Sequence, residues 1–258
     1  MSIDVEIVES SIALITINRP ERRNALDDEH YEALSAAWQR VRDDDAIRVA
    51  IITGAGDKAF SSGADLKSFV PKRVSLSEHW LTQKQPLLNR GLEIWKPVIA
   101  AVNGHCLAGG MTLLLATDIR VAVPHATFSL AEVKRGIIAG NGGTQRCIAQ
   151  LPHAIAMELL LTGDAIDAAT AARWGLVNRI VTSDELLPTA FEYALRIAAN
   201  APLAVQACKE LALRAPELGL SAGLRMEQFV NRVLASSSDA REGVQAFVEK
   251  RPARFSGT

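Results

Sequence analysis

The stretch Lys96–Asp118, K-P-V-I-A-A-V-N-G-H-C-L-A-G-G-M-T-L-L-L-A-T-D, limits what this chain can fold into more than any other. Val98–Val102 is a short apolar run bounded by turn residues, which suits a buried strand. Asn103-Gly104 breaks it, and Ala108–Ala116 is small and then leucine-rich, as a buried helix is. Gly109-Gly110 therefore falls at a strand–loop–helix junction. The first N–H groups of a helix have no acceptor inside it, and its positive dipole end faces any anion placed there. Glycine lets that anion approach the backbone closely. The junction is a candidate oxyanion site.

The rest of the chain supplies strands and helices around this centre. Ile12–Asn18 reads as a strand ending at Arg19-Pro20, and Asp27 or Asp28 caps a helix running to about Arg42, with Tyr31, Leu34, Trp38 and Val41 on one face. Ile47–Thr53 is the next buried strand. Val70–Gln85 is polar and poorly periodic, a surface segment with some helix, and Leu87–Trp95 is expected to be helical. After Asp118 come short strands at Ile119–Val123 and Ala126–Ser129, then Glu132 and the glycine-rich loop Gly136–Gly143. Helices are expected at Thr144–Gln150, Ala154–Thr162 and Ala168–Trp174, with a last strand near Gly175–Val181. From Asp184 onward every segment reads as helix. Strands alternating with helices give an α/β class, with a core over residues 1–197 and a helical region over 198–258.

Composition excludes several functions. A formal net charge of −1 over 258 residues gives no electrostatic case for nucleic acid or an anionic membrane surface. Met1–Ser11 alternates acids with apolar residues and lacks the basic and apolar regions of a secretory signal. No apolar run reaches the roughly 18 residues of a membrane span. Cys106, Cys147 and Cys208 show no metal-ligand spacing, and two lie in apolar surroundings. This is the pattern of a reduced, intracellular protein, expected in the cytoplasm with no bound metal.

Several segments then carry a resemblance. They are N-R-P-E-R-R-N-A-L (18–26), A-F-S-S-G-A-D-L-K (59–67), the organising stretch through Ile119, and F-S-L-A-E-V-K-R-G-I-I-A-G-N-G-G-T-Q-R (128–146). L-T-G (161–163), G-L-V (175–177) and A-F-V-E-K-R (246–251) complete the set. In this order, along nearly the whole chain, they resemble the crotonase (enoyl-CoA hydratase/isomerase) superfamily. The resemblance implies a spiral of ββα units and a helical C-terminal region that builds a homotrimer or a dimer of trimers. It also implies an acyl-CoA substrate and no cofactor beyond the CoA moiety.

The shared chemistry is stabilisation of a thioester enolate, whose donors map onto the backbone N–H groups of Ala64 and Gly109. Such donors are worth roughly 3–4 kcal/mol each in other oxyanion holes. Read alone, Ser62-Gly63-Ala64 and Ala108-Gly109-Gly110 are tight turn packing. Hydratases of the family usually carry two glutamates; the matching positions here are Thr112 and Glu132. A hydroxyl cannot replace a carboxylate base near neutral pH, and the acid of some isomerases is replaced by Asn141. Glu132 is thus the one charged acid/base in the matched positions, and a lone carboxylate suits 1,3-proton transfer. Its alternative role is a surface acid paired with Lys134 or Arg135. For Thr112 the alternative is a hydroxyl bonded to its own preceding turn.

For CoA, the resemblance carries contacts to Arg22, Arg23 and Ala25 and to Ala64, Asp65 and Leu66. The arginines suit phosphates, their alternative being solvated loop charges. Phe247 and Lys250 match positions that reach the CoA of a neighbouring subunit. The functional readings are an enoyl-CoA isomerase, or an atypical hydratase in which Thr112 or Asn141 assists Glu132. The alternatives are a CoA-thioester hydrolase or decarboxylase and an acyl-CoA-binding protein with little turnover.

Overall fold

A computed structural model describes residues 2–67 and 86–258, and the strand-rich part forms two sheets. In the larger, β1 (Ile3–Val8) pairs antiparallel with β2 (Ile12–Ile17). The parallel strands β3 (Val49–Gly54), β5 (Val98–Val102), β7 (Ile119–Ala122) and β10 (Arg179–Ile180) extend it in that order. The smaller sheet runs β4 (Ala59–Ser61), β6 (His105–Leu107), β8 (Thr127–Ser129) and β9 (Ile166–Asp167), the first three parallel. Strands β3, β5 and β7 of the large sheet each hand the chain to the next strand of the small one. This is the repeat of a crotonase spiral. Every residue of β3 and β5 is buried, which explains why both read as continuous apolar runs rather than alternating ones.

Helix α1 (Asp28–Asp43) begins where the Asp27 carboxylate accepts the His30 N–H at 3.2 Å, and buries Leu34, Trp38 and Val41. Helix α2 (Gly109–Leu114) is only six residues long, with no side-chain N-cap. Then come α3 (Gly143–Gln150), α4 (His153–Thr162), α5 (Ala168–Arg173) and α6 (Leu186–Ala198), the last laid across β3, β5 and β7. Helices α7 (Pro202–Arg214), α8 (Leu220–Ala235) and α9 (Ser238–Glu249) complete the chain. The tail after α9 folds back: the Asp239 carboxylate accepts the Ser256 and Gly257 N–H groups at 2.7 and 2.9 Å. Among the described residues no helix is long and apolar enough to cross a membrane.

The sequence reading needs correction in three places. Residues 87–95 are not helical. Leu87 and Arg90 exchange N–H···O bonds of 2.8 and 2.9 Å, and Gly91 takes a positive φ of 66°. Leu92, Ile94 and Lys96 are then buried around an exposed Glu93, a period of two that belongs to extended chain, and Pro97 holds Lys96 out of the helical region. The acid/apolar alternation within Met1–Ser11, which on its own only speaks against a leader, is that of edge strand β1. Strands β4 and β6 have three residues each, too short for any periodicity to register. The expectation for Val70–Gln85 lies outside the described residues.

Candidate active site

Parallel neighbours β4, β6 and β8 end side by side, and each delivers one group to the same edge. Ala64 lies just beyond Ser61, Gly109 just beyond Leu107, and Glu132 just beyond Ser129. The strand register aligns them: Ser61 pairs with Cys106, and Leu107 with Ser129. The Ala108 N–H then donates to Ser129 O at 2.8 Å, closing the turn before Gly109 against the start of the Glu132 segment.

The two amides are left unused by the fold. Leu26 and Ala64 form an isolated parallel bridge in which Leu26 supplies both groups: its N–H donates to Gly63 O at 2.8 Å and its carbonyl accepts the Asp65 N–H at 2.8 Å. That pattern turns the Ala64 N–H to the opposite side. Gly109 is the first residue of α2, so its N–H has no acceptor inside the helix. Among the described residues neither N–H donates a hydrogen bond. They are also close. A methyl built on Gly109 would lie 3.4 Å from the Ala64 nitrogen, and one on Gly63 only 2.6 Å from the Gly109 nitrogen. Ala108 holds the turn with φ 48° and ψ −120°, a costly conformation for a residue with a side chain.

Glu132 sits in a 3-10 turn, Ala131–Arg135. Its Oε2 is buried with no hydrogen-bond partner among the described residues. Burial pushes its carboxyl above the ordinary value, against a smaller backbone hydrogen bond that lowers it. The suggested pairing with Lys134 or Arg135 does not form: Lys134 binds Asp164 at 2.6 Å, and Arg135 donates to a backbone carbonyl. Tyr31 on α1 lies within the electrostatic reach of Glu132. Burial chiefly raises its phenol, Arg90 over the ring lowers it, and the charges of Asp28 and Glu132 raise it further.

Thr112 is buried, one turn along α2. Among the described residues its hydroxyl bonds to nothing; the preceding turn is met by its backbone N–H, which donates to Ala108 O at 2.9 Å. Its Oγ1 faces Gly143, where an added methyl would come within 2.7 Å of it. Asn141 is exposed with φ 51°, and its carbonyl accepts from Arg146 at 3.1 Å.

The loops at 19–26 and 61–66 are stitched together. Asn24 Nδ2 donates to Ala55 O and Ala59 O, Ser61 Oγ donates to Asn24 O, and Ser62 N–H donates to Arg23 O. This places Arg22, Arg23 and Ala25 beside Ala64, Asp65 and Leu66. Both arginines and Leu66 are exposed, while Ala25 is buried. Asp65 is held by Arg19, whose Nη1 lies 3.0 Å from both the Asp65 and the Asp27 carboxylates. Phe247, 85% exposed, and Lys250 belong to α9 and its cap, elsewhere in the chain. The hydrogen bonds and ion pairs of α9 and the tail run to each other, to Ser236 at the end of α8 and to Arg48 before β3, none to these loops among the described residues.

Sequence reasoning missed Arg19 and Arg120. Arg120 is 7% exposed, inside the apolar run Ile119–Val123. A charge within a strand buried on both faces was the available signal.

Two amides that donate to nothing among the described residues, and one carboxylate with a buried oxygen, at a shared strand edge suit stabilisation and protonation of an enolate. The sequence model of the enoyl-CoA hydratase/isomerase family matches residues 8–258. The chain belongs to that family. It is 42% identical over 250 residues to an (E)-benzylidenesuccinyl-CoA hydratase of Thauera aromatica, covering 97% of each chain. It is 38% identical over 252 residues to a carnitinyl-CoA dehydratase of Proteus mirabilis, covering 96% of this chain and 95% of that one. The crystal structure of an enoyl-CoA hydratase from Mycobacterium tuberculosis superimposes with a TM-score of 0.91 at 38% identity, over 100% of this chain and 99% of the other. As a member of this family the chain is an acyl-CoA enzyme of the lyase/isomerase kind.

Proposed function

We propose that the chain adds water to a 2-enoyl-CoA thioester, and removes it in reverse, with Glu132 as its single acid/base. The observation that carries this reading is the buried Glu132 Oε2, unpartnered among the described residues, at the strand edge that also presents the Ala64 and Gly109 amides. Glu132 takes a proton from water as the oxygen bonds to the β-carbon. The electron pair of the double bond moves to the thioester oxygen, which the two N–H groups hold. Protonated Glu132 then returns the proton to the α-carbon, so one carboxylate balances the addition and no further cofactor enters. Its raised pKa suits a group that both accepts and donates. The hydratase and dehydratase names of the relatives support this direction.

A second reading, migration of a double bond from the 3- to the 2-position, is favoured by the threonine at 112, since it needs no second carboxylate. Hydrolysis, decarboxylation and binding with little turnover have no comparable observation behind them. Arg22 and Arg23 receive the CoA phosphates in either reading. The exposed apolar residues Phe229, Val233, Val244, Phe247 and Val248 support a homotrimer or a dimer of trimers, in which Phe247 and Lys250 reach a neighbour's CoA.

Turnover of 2-enoyl-CoA and 3-enoyl-CoA separates the two readings. Glu132→Gln should lose roughly 10²–10⁴-fold in kcat on the preferred substrate. Unchanged turnover in that variant ends the assignment.

A further inference from the structure

Helix α2 presents Gly109 at its first residue, and its N-terminus carries no side-chain cap. Capping side chains at that end would occupy the donors that the proposed enolate needs. The helix is instead held from behind. Arg120 on β7 reaches the C-terminal end of α2 and donates to Leu114 O from Nε at 3.1 Å, and to Leu115 O and Thr117 O from Nη2 at 3.3 and 2.9 Å. Nη1 donates to Leu176 O at 3.3 Å and Nη2 to Gln150 Oε1 at 2.7 Å. Gln150 on α3 completes the clamp by donating to Leu115 O at 2.9 Å, and Thr117 Oγ1 donates to Leu114 O at 2.7 Å. No carboxylate lies within ion-pair distance of this guanidinium among the described residues; its acceptors are mainly helix-end carbonyls.

We propose that Arg120 is a positioning residue for the oxyanion site: it fixes α2 along its axis and so sets where the Gly109 N–H points. The inference rests on the enolate reading of Ala64 and Gly109. Six residues of helix span about 9 Å, so α2 moves as one rigid piece, and slack at Leu114–Leu115 reaches Gly109 undiminished. The guanidinium fork suits this task because it engages several carbonyls in fixed directions, where an ammonium supplies a point charge. Its positive charge also lies at the negative end of the helix dipole, aligned with the field at Gly109. Burial pulls its pKa down to about 10, which leaves it charged at neutral pH.

The test uses the full-length protein, [1-13C]butanoyl-CoA as an unreactive probe, and infrared difference spectra of its thioester carbonyl. In the parent protein the bound carbonyl band should move to lower frequency as the two N–H groups polarise it. Arg120→Lys keeps the charge and loses the fork. Gln150→Ala removes one outer strut from an exposed position and so leaves the core intact. Both should give a smaller band shift and a lower kcat with KM within about twofold, because the CoA contacts lie on other loops. A misplacement of about 1 Å is sufficient for a loss approaching 10²-fold in kcat; Arg120→Lys should approach it and Gln150→Ala should lose severalfold. A parent band that does not move on binding overturns the oxyanion reading itself. A parent band that moves, with Gln150→Ala matching it in band and kcat, overturns the role of the clamp alone. Should Arg120→Lys fail to fold, Gln150→Ala decides the matter.

Discussion

Gly109 and Gly110 are adjacent, yet a methyl group should do opposite things at each. At Gly109 the new carbon would lie 3.3 Å from Gly63 Cα and 3.4 Å from the Ala64 nitrogen, with no positive φ to strain. The contact is tight but relieved by a few tenths of an ångström, and alanine gains up to about 1 kcal/mol of helix propensity over glycine. Stability should therefore change by less than about 1 kcal/mol. Activity should not survive. An oxygen accepting from Ala64 sits about 2.9 Å from its nitrogen, in the space the methyl takes. Losing one such donor costs about 10²–10³-fold in kcat. At Gly110 the methyl would collide with Ser61 O and lie 2.9 Å from Ser61 Cβ, inside a wholly buried strand. Overpacking of that kind costs about 3 kcal/mol, or roughly 6–12 °C in Tm for a chain of this size. Thermal melts and enoyl-CoA turnover of the two variants separate the effects. Gly109→Ala with full turnover, or Gly110→Ala melting with the parent, would refute the geometry described for the two amides.

Glu132 contributes to pH dependence with a definite sign. Its folded pKa stands above the ordinary 4.5, so the folded state binds the proton more tightly, and its charge costs stability as pH rises from 4.5 through the folded value. Glu132→Gln should accordingly melt higher than the parent at pH 7, with the advantage vanishing below about pH 4.5; an advantage that grows in acid contradicts the burial argument. The same ionisation makes turnover by the parent fall as pH drops through that value, which a pH–rate profile measures. Thr112→Glu tests the empty carboxylate position: hydration should rise with CoA-thioester affinity intact, and a rise in isomerisation alone would favour the second reading. Asp239→Ala should release the C-terminal tail and lower Tm by several degrees, given that the carboxylate holds two backbone N–H groups.

What the sequence disclosed follows from the range of each signal. Buried parallel strands announce themselves as unbroken apolar runs, so Val49–Gly54 and Val98–Val102 were legible. The glycine pair at 109–110 marked a close approach, though not its partner across the turn. Local pattern did not reveal that three short strands end side by side, because register is a long-range property. Residues 87–95 mislead because their leucines suggest helix, while a tight turn at Leu87–Arg90 is followed by burial that alternates in twos from Leu92 to Lys96. The roles of Arg19 and Arg120 escape periodicity for a related reason: Arg19 joins Asp27 to the remote Asp65, and Arg120 gathers the nearby carbonyls of Leu114, Leu115 and Thr117 with the remote Leu176 and Gln150, and no spacing rule encodes either set. Glu132 stands out through the resemblance, while the burial of its Oε2 without a partner among the described residues is visible only in the packing around it.

The bridge between Leu26 and Ala64 has a consequence for how such a protein changes over time. Because an amide hydrogen is common to every residue except proline, the anion-holding role proposed for position 64 does not depend on which side chain stands there. Surrounding side chains can therefore be exchanged to admit new acyl groups, or to move protons differently, while the feature that tolerates the charged intermediate persists. Proline at 64, by deleting one hydrogen, would remove what most other replacements leave in place.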